Sequence, residues 1–328
     1  MATLLQSVNQ FIEKITPSDL QADVVQAAYD NVKGYLTADD CTLKIKDVFL
    51  NGSYIRGTMI RPLNDIDVFA VIDDTDYYIN GKVPKPQTVL TSFKNYLNSI
   101  ADYKDKCRQD RPCVTIDLTK LHIDVLPALR HAEALSIPNA DLDGWIFTDP
   151  KTHNLQFSDI DRRRNYKVKD IVKAVKRWKN DRELPLPSFQ IESIAGYIFN
   201  IWDFSNAEEG IRLWFDYAEG YLSMAMNGSL AQYETVRDAI RNTKDELDKA
   251  KKYVDKKGQA SAIKIWKEVF GKDFPAIDVN EAKLFGDAIR DGGLKWSAAG
   301  GLSTSVGSTL AASKGFYGEV SEKREEKY

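Results

Sequence analysis

The chain has 328 residues, 43% hydrophobic and 28% charged, which is typical of a folded globular protein of about two domains. A net charge of −3 excludes a strongly basic protein, so any surface for nucleic acid has to be local. Three cysteines are too few for a disulfide framework, and there is neither a signal-peptide pattern nor an apolar run of about eighteen residues, so we expect a cytoplasmic protein.

Two helices are predicted before the first strand. Apolar residues recur at helical spacing from Leu5 to Ile15 and again from Leu20 to Leu36. Thr16 followed by Pro17 is typical of an N-cap with proline at the first helical position. The second helix is therefore expected to begin at this pair.

A strand, a turn and a second strand follow. Residues 44–50 alternate apolar and polar side chains like a strand, Gly52-Ser53 interrupts them, and Tyr54 to Met59 is long enough for one or two helical turns. Residues 66–72 form a nearly continuous apolar run, which predicts a buried strand.

Two carboxylates, Asp65 and Asp67, stand at the start of the second strand and share a face because alternate side chains of a strand point the same way. Unpaired N–H groups at Gly52-Ser53, helped by a helix dipole, suit a triphosphate, and Ser53 adds a hydroxyl donor. Paired carboxylates suit Mg²⁺, and two ions would activate an attacking hydroxyl and stabilise leaving pyrophosphate. The stretch predicts a nucleotide-polymerising site.

A third carboxylate is expected on a neighbouring strand. Residues 111–129 are predicted to form two strands with a turn near Thr119. Asp124 lies among apolar residues of the second strand, where an unpaired charge is costly and a metal relieves that cost. Asp117 is the alternative, but it lies nearer the turn, so Asp124 is preferred.

The next segments carry fewer signals. Val89 to Ile100 has helical spacing, and Trp145 to His153 is interpreted as a connection between two lobes. A capping or turn hydrogen bond is the preferred role for His153. Neither His122 nor His131 has a nucleophile nearby in sequence, so a histidine-dependent hydrolase finds no support.

One basic run, residues 162–182, holds ten Lys or Arg against two acidic residues. A buried stripe from Val168 to Trp178 predicts a helix there, with Lys169, Lys173 and Lys176 on its other faces. Three interpretations stay open: a solvated helix surface, one or two lysines facing the triphosphate, or a local nucleic-acid footprint.

The stretch from Asn51 to Val68, followed by Ile123 to Ala128, resembles the polymerase-β-type nucleotidyltransferases. It is more similar to the cGAS/DncV-like nucleotidyltransferases (CD-NTases), bacterial enzymes that make cyclic oligonucleotide signals in antiphage defence (CBASS). The resemblance covers about residues 1–275. It implies that the catalytic and metal-binding residues are Asp65, Asp67 and Asp124, and that Gly52 and Ser53 hold the donor triphosphate.

Two later segments, residues 174–179 and 187–192, also resemble the family. The resemblance implies that Lys176 and Ser188 contact the donor phosphates and that Phe189 stacks on a base, with packing in the core as the alternative for Phe189. Many relatives have Lys where this chain has Pro187, so one phosphate contact is expected to be replaced by Lys179 or Lys173.

The fold expected from the resemblance is α+β. A polymerase-β-like nucleotidyltransferase lobe with a mixed sheet and N-terminal helices spans residues 1–160, and a mainly helical, oligoadenylate-synthase-like lobe spans 161–296. Residues 297–328 form an Ala/Gly/Ser-rich tail, flexible by composition unless it docks on the enzyme or a partner.

The implied function is a Mg²⁺-dependent condensation of nucleoside triphosphates into a cyclic di- or trinucleotide with release of pyrophosphate. Two Mg²⁺ ions are expected, with Mn²⁺ as a substitute. The alternatives are a linear nucleotidyltransferase that tags RNA or a protein hydroxyl, and an inactive relative that senses ligands or scaffolds partners. Besides the triphosphates, the expected partners are a downstream effector that recognises the product and a regulatory protein, with no requirement for membrane or nucleic acid.

Overall fold

The computed structural model describes residues 3–63, 65–72, 83–131, 134–225, 228–255, 258–276, 294–296 and 302–304. The helices are α1 (Leu4–Ile15), α2 (Asp19–Leu36), α3 (Gly52–Ile55), α4 (Pro86–Ser99), α5 (Pro150–Arg163), α6 (Val168–Asp181), α7 (Ser188–Ile201), α8 (Ala207–Ala225), α9 (Leu230–Asp255), α10 (Gln259–Phe270) and a 3₁₀ turn at Gly271–Asp273. The strands are β1 (Ile45–Asn51), β2 (Asp65–Ile72), β3 (Cys107–Gln109), β4 (Val114–Asp117), β5 (His122–His131), β6 (Ala134–Pro138), β7 (Trp145–Thr148), β8 (Leu294–Trp296) and β9 (Leu302–Thr304).

Contacts between residues divide the chain into two units, Leu4–Pro275 and a second made of Met1–Thr3 with Ala276–Tyr328. In the second unit the described strands β8 and β9 pair antiparallel. The predicted tail, residues 297–328, lies outside the described residues apart from β9. No helix in the described ranges is long and apolar enough to cross a membrane.

Seven strands of the larger unit form one mixed sheet in the order β1-β2-β5-β4-β3, with β6 pairing the end of β5 and β7 pairing β6. Strands β2 and β5 are parallel, and the other pairs are antiparallel. The long strand β5 therefore lies at the centre of the sheet, between β2 and β4. This placement brings the start of β5 beside the start of β2.

The two faces of the sheet have different roles. On β2, Ile66 and Val68 belong to the main hydrophobic core, which α2 and α4 cover with residues such as Val25 and Phe93. Asp65 and Asp67 alternate with them and so point to the opposite face. The hydrophobic residues of this face thus anchor the strand, and the two carboxylates lie on the other face, which they share with the smaller cluster of Phe69 and Val71.

The C-terminal half of the larger unit is helical. The indole of Trp178 on α6 lies 4.9 Å from the ring of Phe215 on α8, edge to face. The ring of Phe11 on α1 lies 5.3 Å from that of Phe270 and 5.4 Å from that of Phe274. Helix α1 therefore packs with helices of the C-terminal half although it precedes the sheet in the sequence.

Two local predictions were wrong. Helix α2 begins after Ser18, not at Thr16-Pro17, because the Thr16 hydroxyl donates back to the Ile12 carbonyl and so completes α1. The backbone N–H of Ser18 donates to the Gln21 side chain. The helical turn predicted from Tyr54 begins earlier, at Gly52, and ends at Ile55.

The segment interpreted as a connection between two lobes, Trp145 to His153, has regular secondary structure. It forms strand β7 and the first turn of α5. Asp149 caps this helix by accepting a hydrogen bond from the Thr152 N–H. His153 lies inside the helix, so the predicted capping role belongs to Asp149.

Candidate active site

The carboxylates of β2 and β5 lie side by side because of strand register. Asp67 is the register partner of Asp124, and Asp65 is the partner of His122. On the other side of β5, Thr115 of β4 is in register with Asp124 and its hydroxyl donates to Asp124 Oδ1 at 2.6 Å. The parallel pairing of β2 with β5 thus places Asp65, Asp67 and Asp124 on one face, and β4 adds the hydroxyl of Thr115.

The alternative carboxylate, Asp117, lies one row further toward the edge. It is in register with His122, whose Nδ1 lies 2.7 Å from Asp117 Oδ1. Asp117 also pairs with Arg108 at 3.1 Å. Asp117 is therefore engaged by Arg108 and His122, whereas Asp124 lies in register beside Asp67.

The carboxylate face carries more negative charge than its surroundings balance. Burial and then the charge of Asp124 raise the pKa of Asp67 to about 6, although Arg56 and Lys176 oppose the rise. Burial and then Asp124 also raise the pKa of Asp65. Clustered, partly dehydrated carboxylates of this kind are relieved by a bound cation.

The donor set of hard carboxylate oxygens fits Mg²⁺. In the described ranges, however, no three His, Cys, Asp or Glu side chains converge closely enough to coordinate an ion as they stand. The fit to Mg²⁺ therefore rests on strand register and on the excess of negative charge. The carboxylate side chains would have to rotate to complete the set of ligands.

The turn at Gly52 is built against Asp67. Gly52 has φ +71°, in the left-handed region that favours glycine. A Cβ at this position would lie 1.6 Å from Asp67 Oδ2. Helix α3 has four residues, too few to build the expected dipole, so its backbone N–H groups remain the feature suited to phosphate.

The predicted phosphate residue Lys176 is buried, not on a solvated face of its helix. Its ammonium donates to Glu192 Oε1 at 2.6 Å, to the Thr58 hydroxyl at 2.9 Å and to the Thr58 carbonyl at 3.3 Å. Burial lowers the pKa of Lys176, and the charge of Glu192 opposes that shift. Of the proposed substitutes, Lys173 pairs with Asp170 at 3.3 Å.

The other two predicted residues lie at the start of α7. Ser188 is the first residue of the helix and is exposed. The side chain of Phe189 is 50% exposed, and its ring lies 4.6 Å from that of His153. Burial and then the charge of Arg56 lower the pKa of His153. Phe189 therefore presents a ring to solvent with a largely neutral imidazole beside it.

A cleft of about 500 Å³ lies along α5 and α7. Its lining includes His153 and Glu192, together with the stacked rings of Tyr197 and Tyr221, which are 5.5 Å apart. The volume is within the range of small-molecule sites.

Residues 1–161 match the family model of the Second Messenger Oligonucleotide or Dinucleotide Synthetase domain. The chain is 24% identical over 302 residues to the cyclic AMP-AMP-AMP synthase of an Acinetobacter species, covering 83% of this chain and 86% of that protein. It is 25% identical over 279 residues to the CBASS oligonucleotide cyclase CdnC of Escherichia coli, covering 73% and 86%. Residues 1–161 therefore belong to this synthetase domain family, and over most of its length the chain is similar to the cGAS/DncV-like nucleotidyltransferases.

Solved structures of CD-NTases share the fold. E. coli CdnC with ATP superposes with a TM-score of 0.68 at 20% identity, covering 83% of this chain and 99% of that one. E. coli DncV bound to 3′-deoxy GTP gives 0.62 at 14% identity, covering 80% and 94%. The expected fold class, a polymerase-β-like nucleotidyltransferase lobe with a helical lobe, is confirmed, and the protein is a nucleotidyltransferase.

Four polar residues beside this candidate site were missed from the sequence: Arg56, Thr58, Asn154 and Glu192. Thr58 is fully buried, and Arg56 and Glu192 are 7% and 1% exposed. Arg56 and Thr58 follow the Gly52 turn, and Glu192 lies four residues after Ser188. The sequence therefore shows that all three stand next to predicted site residues. Their mutual contact was not, because it joins segments more than 130 residues apart.

Proposed function

We propose that this protein joins nucleoside triphosphates into a cyclic di- or trinucleotide and releases pyrophosphate. The observation that carries the proposal is the register of Asp67 with Asp124 on one sheet face, with the Gly52 turn packed against Asp67. The names of the relatives, a cyclic AMP-AMP-AMP synthase and an oligonucleotide cyclase, support cyclisation.

Asp65, Asp67 and Asp124 would hold two Mg²⁺ ions, or Mn²⁺ in their place, which supply charge stabilisation for the attacking hydroxyl and the leaving pyrophosphate. The hydrogen bond from Thr115 fixes Asp124 Oδ1 and leaves Oδ2 to accept a proton. In this proposal a ribose hydroxyl of the acceptor attacks the α-phosphorus of the donor. Its proton passes to Asp124, and the bond to the β-phosphate breaks.

The donor nucleotide is bound by the remaining residues. The N–H groups of Gly52 and Ser53 hold its triphosphate, Ser188 adds a hydroxyl donor, and Lys176 contributes positive charge. The exposed ring of Phe189 stacks on a base.

Linear tagging of RNA is the weaker alternative, because the basic run offers few unpaired charges. Among the described residues, most of its cations pair with acidic side chains: Arg162 and Arg163 with Asp159, Arg164 with Asp203, Lys169 with Asp161, Lys173 with Asp170, Lys176 with Glu192, and Arg177 with Asp181 and Asp273. We place the reaction in the cytoplasm, as part of CBASS antiphage signalling, with an effector that recognises the product.

A regulatory protein is also part of the proposal. E. coli CdnC has been solved in a complex with a HORMA protein, and that structure covers 83% of this chain with a TM-score of 0.65. A partner of that kind would act on this enzyme without nucleic acid or membrane.

The test is mass spectrometry of the products formed from the four nucleoside triphosphates and Mg²⁺, with the Asp67→Asn variant as the inactive control. We expect a phosphatase-resistant product from the wild type only. Its absence would refute cyclase activity for the isolated protein. Products that appear only with added RNA or protein would favour the tagging alternative.

A further inference from the structure

Glu192 binds two cationic side chains at once in the interior of the protein. Its Oε2 accepts from Arg56 Nε at 2.5 Å, and its Oε1 accepts from Lys176 Nζ at 2.6 Å and from the Thr58 hydroxyl at 2.5 Å. The side chains of Arg56, Lys176 and Glu192 are 8%, 4% and 0% exposed. Lys176 and then Arg56 hold the pKa of Glu192 below its ordinary value against the effect of burial, so its carboxylate is charged.

The contacts of Glu192 join three parts of the chain around the phosphate turn. Arg56 directly follows α3 as its C-cap, Lys176 lies on α6, and Glu192 lies on α7. Thr58 donates its N–H to the Ser53 carbonyl at 2.9 Å, which links the cluster to the turn itself.

The other end of the turn is held through the same arginine. Arg56 Nη1 donates to Asn154 Oδ1 at 3.2 Å, and Asn154 Nδ2 donates to Asn51 Oδ1 at 3.1 Å. Asn51 is the N-cap of α3, so both residues that flank the turn are fastened to helices.

The buried cluster of Arg56, Lys176 and Glu192 is a poor way to stabilise the fold alone. Buried ion pairs stabilise a fold little relative to apolar residues of the same volume, because desolvation offsets their attraction. This cluster also leaves one positive charge in excess, since two cations share one carboxylate. Arg56 and Lys176 also both oppose the rise in the pKa of Asp67, so their positive charge reaches the carboxylate face. Positive charge beside the Gly52 turn and the carboxylate face is what a triphosphate requires.

We propose that Glu192 is a positioning residue for triphosphate binding: it holds Arg56 and Lys176 in place and thereby fixes the Gly52–Ile55 turn against α6 and α7. The inference rests on the proposed nucleotide substrate. A positioning role and simple charge balance predict opposite changes in triphosphate affinity when Glu192 loses its charge. Removing the charge of Glu192 raises the excess positive charge, so charge alone would tighten triphosphate binding, whereas lost positioning weakens it.

The experiment compares Glu192→Gln with wild type in calorimetric binding of a non-hydrolysable ATP analogue and of AMP, both with Mg²⁺. We expect the affinity for the triphosphate to fall about tenfold or more and that for AMP to change less than about twofold. Tighter triphosphate binding, an equal loss for both nucleotides, or no change would each overturn the proposal.

Glu192→Asp is the second variant, in case the Gln variant does not fold. It keeps the charge count but is one methylene shorter, so it cannot reach Arg56 and Lys176 together. The same selective loss is expected, and wild-type triphosphate affinity in this variant would overturn the proposal. Asp273→Asn is the matched control, because Asp273 pairs with Arg177, the next residue of α6, at 2.5 Å. It should leave both affinities unchanged.

Failure of this inference is distinct from failure of the proposed function. The binding measurement needs no product, and the wild-type product assay does not involve Glu192 variants. A wild type that makes a cyclic product while Glu192→Gln and Glu192→Asp bind the triphosphate normally would reject the positioning role alone.

Discussion

The carboxylate of Asp67 lies directly over the Cα of Gly52, so that a Cβ at residue 52 would stand 1.6 Å from Asp67 Oδ2. The left-handed φ of +71° adds backbone strain for any other residue. Gly52 thus permits two close approaches, that of a phosphate in the proposed complex and that of Asp67 within the protein.

Gly52→Ala should therefore reduce turnover about a hundredfold or more, because the added methyl group displaces Asp67 from the carboxylate face. The strained turn should also cost about 1–3 kcal/mol of unfolding free energy. Steady-state kinetics and denaturant melts measure the two effects. Gly34→Ala is the control: a Cβ there meets nothing within 4 Å, and alanine in a helix should stabilise the protein by about 0.5–1 kcal/mol. Unchanged turnover in Gly52→Ala would contradict the close packing.

Asp67→Asn should lower the rate on the order of a thousandfold or more, because it removes a metal ligand in the proposed site. In metal-free buffer the variant should be as stable as the wild type. Burial and Asp124 raise the pKa of Asp67 to about 6, so the charge of this carboxylate is unfavourable without a metal. Thermal melts with EDTA and with added Mg²⁺ test this. Mg²⁺ should raise the Tm of the wild type and leave that of the variant unchanged. Near-normal turnover would reject the assignment.

Asp124 and Asp117 can be distinguished by the same substitution. Asp124→Asn should abolish turnover, because this residue is in register with Asp67 and is the proposed proton acceptor. Asp117→Asn should cost less than about tenfold, since Asp117 is occupied by Arg108 and His122. Equal losses in the two variants would show that register with Asp67 does not select the catalytic carboxylate.

Phe189→Leu tests base stacking without creating a cavity in the hydrophobic core. The side chain is 50% exposed, so the free energy of unfolding should change by less than about 0.5 kcal/mol. The KM for the triphosphate should rise about fivefold to a hundredfold, because leucine is apolar but not flat. Phe189→Tyr keeps the ring and should bind normally. A large loss of stability in Phe189→Leu would instead indicate a packing role.

His153 predicts a pH dependence of stability. Its pKa in the folded protein is lowered by burial and by Arg56, whereas in the unfolded chain it has its ordinary value near 6.5. The stability that follows from this shift is present above about pH 6.5 and is lost as the pH falls through the lower, folded pKa. The Tm of His153→Gln should therefore fall less than that of the wild type between pH 7.5 and 5. Identical pH profiles would contradict the shift.

Local patterns in the sequence were sufficient for the secondary structure around the site. The apolar run of β2, the Gly52-Ser53 interruption and the alternation that gives Asp65 and Asp67 one face depend on neighbouring residues only. The start of α2 was predicted wrongly from Thr16-Pro17, because the sequence does not show that the Thr16 hydroxyl donates back to the Ile12 carbonyl of α1.

By itself, the sequence determined the nucleotidyltransferase family, the strand with its two carboxylates and the turn that precedes it, because each is encoded within a short stretch. The tertiary structure decided which distant side chains join them. Parallel pairing of β2 with β5 placed Asp124 beside Asp67, and packing of α6 and α7 against the turn buried Lys176 with Glu192. Register and burial depend on contacts between residues far apart in the chain, and a charged helix residue looks the same in sequence whether water or a buried carboxylate surrounds it.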